Sequence, residues 1–354
     1  MGMWQRIAAA AVIVASVVGA GASVASAAPL EGVPQYDHIV VLALENESAP
    51  TTFGPGSPAT YLNSLRTQGV FVPNYYGISH LSLTNYIAMV SGQLPNGLTN
   101  TDCSVVSLYV CANSTTLFSN GRHLGDQLDG AGRTWKGYMD GAPTACFHGP
   151  YSTSLVDLLS PDPYQGDSQT PPAKDYADRH NPWIYFPNVI GNASRCGAHV
   201  RPFTDLAGDL AANALPSFSF ITPDTCHDGH DAPCSNGSAG GLVGADQWLS
   251  ANLPPLVSYL KAHNGLLIIN FDEDGIAPTA TTTLTDVVCF TCASFGLGGR
   301  TGAVLVGAGL TPGKTVTASY DHYSLLRTVE DSFGIAEHLN MAGSAQPMVG
   351  VFGP

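Results

Sequence analysis

The chain has 354 residues, of which only 11% are charged, and it carries a formal net charge of −14. So acidic a chain does not follow a polyphosphate backbone by charge, which makes nucleic acid and anionic membrane surfaces poor nonspecific partners. Its 39 glycines, 25 prolines and 44% apolar content describe a folded chain with long ordered loops, sized for one large domain or two small ones.

The first element is a leader. Arg6, an apolar run from Ile7 to about Val24 and the triplet Ala25-Ser26-Ala27 make a secretory signal peptide over residues 1–27, leaving 28–354 as a single catalytic domain. An uncleaved anchor is the alternative, since the run nearly reaches spanning length. The Ala-x-Ala site followed by Ala28-Pro29 favours cleavage, and no later stretch is apolar enough to span a bilayer. The expected product is secreted, extracellular or periplasmic, with no integral membrane segment.

His38–Leu44 then reads as a strand, 58–68 as a helix, and Thr84–Ser91 and Leu124–Gly130 as short helices. Thr134–Met139 reads as a strand, followed by a loop-rich stretch to about residue 200 and a short strand at Phe218–Ile221. Ala245–His263 has helical spacing that Pro254-Pro255 should break or kink. Leu266–Phe271 is a continuous apolar run of the kind buried on both faces, Ala303–Val306 is a further strand, and Tyr323–Phe333 a final helix. Strands alternating with helices imply an α/β fold, a three-layer α/β/α sandwich around a mostly parallel sheet.

The eight cysteines are an even count, and export makes pairing the expected state. Close spacing favours Cys103–Cys111, Cys226–Cys234 and Cys289–Cys292, leaving Cys146 with Cys196. A zinc site on Cys289-x-x-Cys292 would lack a second ligand pair.

Several strands run straight into acidic or amide residues: Glu45-Asn46, Asp140, Asp224 and Asp272-Glu273-Asp274. Open α/β sheets bind ligands at their carboxyl edge, and carboxylates gathered there repel one another unless a cation intervenes. Oxygen donors of this kind suit Mg, Ca or Mn, and nearby histidine would admit Zn or Fe. Ser82 stands just ahead of a helix start, either as an ordinary cap or as a hydroxyl facing an anion held by helix-terminal amides, with Asn85 as a further donor. The stretch Asp224–Asp231 is dense in histidine and aspartate, whereas His180 and His322 are isolated. No G-x-S-x-G elbow, H-E-x-x-H helix, P-loop or G-x-G-x-x-G fingerprint is present.

Nine blocks in order carry a family resemblance. They are Glu45-Asn46-x-Ser48, the H-x-S-x-x-N-Y block His80–Tyr86, Trp135–Asp140, Tyr176-Ala177-x-x-His180-Asn181-Pro182-Trp183, Phe220–Asp224, Asp228–Asp231, Gly244–Leu249, Phe271-Asp272-Glu273 and Asp321–Leu326. With these the chain resembles the phosphoesterase family of secreted acid phosphatases and phosphatidylcholine-type phospholipases C, within the alkaline-phosphatase-like superfamily. It is most similar to the small bacterial secreted acid phosphatases. The resemblance implies a divalent metal held by Glu45, Asn46, Asp272 and Glu273, with Asp228 beside them, and Ser82 as nucleophile. His180, His230 and His322 would surround the phosphate as ligands, donors or proton carriers. Leu81 and Thr84 depart from the family, which has prolines there.

The implied activity is a metal-dependent phosphomonoesterase working through a phosphoserine, with a small phosphate ester or a phospholipid headgroup, phosphatidylinositol 3-phosphate among them, as substrate. A phospholipase C or other phosphodiesterase is the alternative, favoured by an open apolar cleft beside Ser82. A secreted binding protein that has lost catalysis is the alternative of another class. A protonated His230 or His322 serving the leaving group would centre activity at roughly pH 4.5 to 6.5.

Overall fold

Seven residues, His38–Leu44, form the strand around which the fold is assembled (β1), and the six from Ile39 to Leu44 are all buried. In this computed structural model residues 30–154, 157–164, 175–275 and 283–353 are described, and the leader at 1–27 lies outside them. The remaining strands are β2 (Val70–Val72), β3 (Tyr75–Tyr76), β4 (Trp135–Met139), β5 (Val200–Pro202), β6 (Phe218–Thr222), β7 (Gly265–Phe271), β8 (Ala303–Gly307), β9 (Lys314–Thr315) and β10 (Tyr320–Asp321). Eight make one sheet in the order β5-β4-β6-β1-β7-β8-β2-β9, and β3 pairs with β10 apart from it. The run from β5 to β7 is parallel throughout, while β8 is antiparallel to both β7 and β2.

Alternation along β1 sorts its side chains into two cores. Ile39, Val41 and Ala43 join the cluster holding Leu83, Tyr86, Trp183 and Leu325, on one face of the sheet. Val40, Leu42 and Leu44 join the opposite cluster with Leu249, Leu253 and Leu256 of the helix Gly241–Ala262. A strand buried on both faces has no polar side to show, hence its unbroken apolar run. Truncating the fully buried Leu42 to alanine would cost about 2–5 kcal/mol.

The helix Gly241–Ala262 passes through Pro254 and Pro255 unbroken, contrary to the expected interruption. Both prolines, and Ser250 and Ala251 whose carbonyls lose helical donors, lie on its exposed side, where water can serve those oxygens. The expected 58–68 helix is shorter, Thr60–Leu65. The stretch read as loop up to residue 200 holds short helical turns at Asp178–His180, Pro182–Tyr185, Pro187–Ile190 and Ala193–His199. A helix at Leu108–Phe118 had no clear periodic signal. The three disulfides that close spacing favoured are formed, and the remaining Cys146 pairs with Cys196.

Parallel register decides where the site forms. Leu44 pairs with Phe271, so Glu45 and Asp272 emerge side by side. Met139 pairs with Thr222 on the adjacent strand β6, itself next to β1, bringing Asp140 and Asp224 to the same edge.

Candidate active site

Backbone hydrogen bonds tie the strand ends into one framework. The Asp272 N–H donates to Leu44 O at 2.8 Å, and the Glu45 N–H to Asp228 O at 2.8 Å. Asn46 takes a left-handed φ of 52°, which asparagine tolerates better than most residues, and its N–H donates to Asp272 Oδ1 at 3.1 Å. The Glu273 N–H donates to the same oxygen at 2.7 Å.

The helix Ser82–Ser91 approaches this edge with its N-terminus. Its N-cap is Leu81, at φ 81°, so Ser82 is the first helical residue rather than the cap. Its hydroxyl is therefore free of capping duty and donates to Glu45 Oε2 at 2.8 Å. Asp102 takes over at the helix start, accepting from the Leu83 N–H at 2.9 Å. His180 stacks on Tyr86, centroids 5.3 Å apart, with Nε2 3.3 Å from Glu45 Oε1 and Nδ1 3.3 Å from Asp228 Oδ2.

Glu45, Asp228 and Asp272 are fully buried, and Glu273 is nearly so. Burial pushes all four carboxyls up, and their neighbours add to it: Asp272 for Glu45, Glu45 for Asp228, Glu273 for Asp272. Glu273 is raised to about 9, by burial first and then Asp102. Burial, with the Arg179 charge, pushes His180 well below the usual imidazole range, so that ring is neutral.

The donor set fits a hard cation. Asn46 Oδ1 and Asp272 Oδ2 are buried oxygens without a hydrogen-bond donor, and Glu45 Oε1, Asp228 Oδ2 and Glu273 Oε2 make no well-formed hydrogen bond and face only histidine nitrogens at 3.2–3.3 Å. Each such acceptor costs about 1–3 kcal/mol, and a divalent ion with oxygen ligands is what relieves a group of them. Among the described residues, a trio of ligand-type atoms within 4.8 Å of one another is formed by Asp224, Cys226 and His227. Cys226 is bonded to Cys234, and hydrogen bonds to Asp140 and Asp224 raise His227 to about 10, so that trio is an ion-paired loop anchor rather than a ligand set.

Two residues expected at the phosphate are engaged by other protein groups. Asn85 spends its amide on the preceding loop, accepting from the N–H groups of Ile78 and Ser79 and donating to Ser79 O at 2.9 Å. It shapes the turn that presents Ser82 rather than offering a donor to substrate. His322 opens the helix His322–Ser332 and is fully buried beneath the site. Its Nε2–H donates to Asp272 O at 2.6 Å and its Nδ1 accepts from Tyr75 Oη at 2.9 Å. Burial lowers its proton affinity to about 4, so it holds the Asp272 backbone and is not an acid for the leaving group. His230 stays at the exposed rim, its N–H donating to Asp228 Oδ1 at 2.8 Å and Nδ1 2.8 Å from Asp231 Oδ1.

Two residues were missed. Arg179 is buried next to His180, and its charge lowers Glu45, Asp228 and Asp102 against the other effects on them. An arginine in so cation-poor a chain, abutting His180-Asn181-Pro182, was the available signal. His80 sets Nδ1 3.2 Å from Glu273 Oε2, and only its place in the Ser82 block hinted at it.

The fold is that of the alkaline phosphatase superfamily. A solved superfamily member from Vibrio parahaemolyticus aligns with TM-score 0.51 and 12% identity, over 87% of this chain and 69% of that one. The family profile described as the Phosphoesterase family matches residues 55–336, and the chain belongs to this family of phosphoric-ester hydrolases. A phosphatidylinositol-3-phosphatase of Mycobacterium tuberculosis is 28% identical over 97% of this chain and 91% of its own length. A probable acid phosphatase of Kluyveromyces lactis is 28% identical over 85% of this chain, which spans 59% of the yeast protein.

Proposed function

We propose that the protein is a secreted, divalent-metal-dependent phosphomonoesterase of acid-phosphatase type with Ser82 as nucleophile, and that phosphoinositides are among its substrates. The observation that carries this reading is the Ser82 Oγ–Glu45 Oε2 hydrogen bond beside the donorless buried oxygens. The names of the mycobacterial and yeast relatives support the substrate class.

Glu45, Asn46, Asp272 and Glu273 would hold the metal, with Asp228 at the margin. When bound, it supplies positive charge for the phosphoryl oxygens and for a developing serine alkoxide. The chain's own residues do the rest. Glu45 orients the Ser82 hydroxyl and takes its proton, and Oγ attacks phosphorus as the ester P–O bond breaks, giving phosphoserine and an alkoxide that takes up a proton. His230, whose Nδ1 lies 2.8 Å from Asp231 Oδ1, would be the donor, while His322 Nε2 is committed to Asp272 O. Neutral His180 lies between Glu45 and Asp228, and Arg179 lends both its positive charge. Water then attacks phosphorus and gives its proton to His230, and the P–Oγ bond breaks to release phosphate while Ser82 Oγ recovers its proton from Glu45.

Purified protein assayed on an aryl phosphate, with and without chelator, tests the reading. Hydrolysis abolished by chelator and restored by a divalent ion is expected, and full activity in metal-free protein would reject it. A phospholipase C-type diesterase is the second reading, because Leu81 beside Ser82 and a neighbouring loop expose apolar side chains. Faster turnover of a bis-aryl phosphate than of the monoester would favour it.

A further inference from the structure

The segment from Thr283 to Arg300 has no role in the chemistry above, yet it displays four large apolar side chains. Leu284, Phe290, Phe295 and Leu297 are 64%, 60%, 60% and 56% exposed. Exposed apolar residues scattered singly are ordinary, but four within fourteen residues of one stapled loop are a concentration that calls for a partner.

The segment is a firm ledge. Cys289–Cys292 staples its tip, and the Cys289 N–H donates to Phe295 O at 2.7 Å. Tyr76 Oη donates to Thr285 O at 2.9 Å, and Ser294 Oγ to Asp321 Oδ2 at 2.9 Å. Phe295 has a left-handed φ of 62°, a conformation costly for a bulky residue and cheap for glycine or asparagine. Stability alone would not place an exposed phenylalanine there.

The ledge also adjoins the catalytic edge. The Asp274 N–H donates to Gly298 O at 2.8 Å, and the Gly298 N–H to Gly77 O at 3.2 Å. A side chain at Gly298 would lie 2.4 Å from Ser79 O, three residues before Ser82, so the two loops pack backbone to backbone. Its charges are Asp286 and Arg300, which pair with each other, with Arg300 Nε 3.0 Å from Asp286 Oδ1. The ledge is therefore neutral and apolar on a chain of net charge −14.

We infer that this ledge is a docking surface for the interfacial zone of an electrically neutral lipid bilayer, seating the Ser82 site against phosphorylated headgroups. The inference rests on the phosphatase reading and deepens it by naming the physical form in which the substrate is met. Phenylalanine and leucine side chains insert at the headgroup–acyl boundary without a basic patch, and the acidic body resists anionic surfaces.

The test uses the mature protein and the triple variant Phe290→Ser, Phe295→Asn, Leu297→Ser. Asparagine suits the left-handed position, so the backbone is left at ease. In sedimentation with phosphatidylcholine vesicles, wild type co-pellets, less so when phosphatidylserine is added at low salt, and the variant's partitioning falls by at least about tenfold. Turnover of a phosphoinositide in those vesicles falls in parallel, while turnover of a soluble aryl phosphate is unchanged. Equal vesicle binding by both proteins, no binding by wild type, or a lipid-free dimer that the variant dissolves would each overturn the docking surface. Absence of aryl phosphate hydrolysis by wild type would instead reject the phosphatase reading and leave the vesicle result to judge the ledge.

Discussion

Asp272→Asn should stabilise the metal-free protein while destroying its activity. Asp272 Oδ1 accepts two N–H bonds, from Asn46 and Glu273, and an asparagine carbonyl keeps both. Oδ2 is a buried acceptor without a donor, and its charge raises Glu45. An amide nitrogen there replaces a stranded acceptor with a donor and removes one of several like charges. Recovering one unsatisfied buried group is worth about 1–3 kcal/mol, or roughly 2–10 °C in Tm for a chain of this size. The sign with pH follows from the same groups. Glu273 is lifted from an ordinary value near 4.5 to about 9, and Asp272 and Glu45 are also raised. Raised carboxyls favour the folded state while protonated, so metal-free wild type should lose stability as pH climbs from about 4.5 towards 9. Differential scanning calorimetry of chelated protein across that range is the assay. A higher Tm at pH 7, a flatter pH dependence and no Tm gain on adding divalent ion are expected of the variant. A lower Tm than wild type without metal, or an undiminished gain with it, would refute the argument that these carboxylates form one mutually repelling metal set.

Ser82→Ala should cut kcat by at least about two to three orders of magnitude on an aryl phosphate while the fold, checked by circular dichroism, is kept. Near-normal turnover would remove Ser82 as nucleophile. His230→Asn should lower kcat most on esters with poor leaving groups, whereas His322→Asn should lower Tm by loosening Asp272 and leave the shape of the kcat/KM profile alone. A profile peaking above about pH 8 and indifferent to His230→Asn would point to metal-bound hydroxide chemistry in place of a histidine acid. Arg179→Met should reduce kcat/KM by about tenfold to a thousandfold and weaken inhibition by inorganic phosphate. Unchanged phosphate inhibition would confine Arg179 to balancing Glu45 and Asp228.

Local pattern made much of this protein readable before folding was considered. Apolar runs at His38–Leu44 and Leu266–Phe271 announce strands because burial on both faces leaves no polar position along them. Acidic residues directly after those runs mark the carboxyl edge, and cysteines eight or fewer residues apart marked three of the four disulfides. What a side chain does at that edge is a matter of distance and partners, which sequence spacing does not encode. His180 and His322 are both lone histidines in the sequence. Packing sets one between Glu45 and Asp228 and spends both nitrogens of the other on Tyr75 and the Asp272 carbonyl. Asn85 resembles a substrate donor until the turn before Ser82 claims its amide, and Arg179 acquires meaning only when a short turn buries it beside His180. The sequence by itself determined the layers, the edge and the candidate chemistry, because those follow from periodicity and residue type. The division of labour among the buried groups was decided only by tertiary structure, because it depends on which polar atoms long-range packing leaves with a partner.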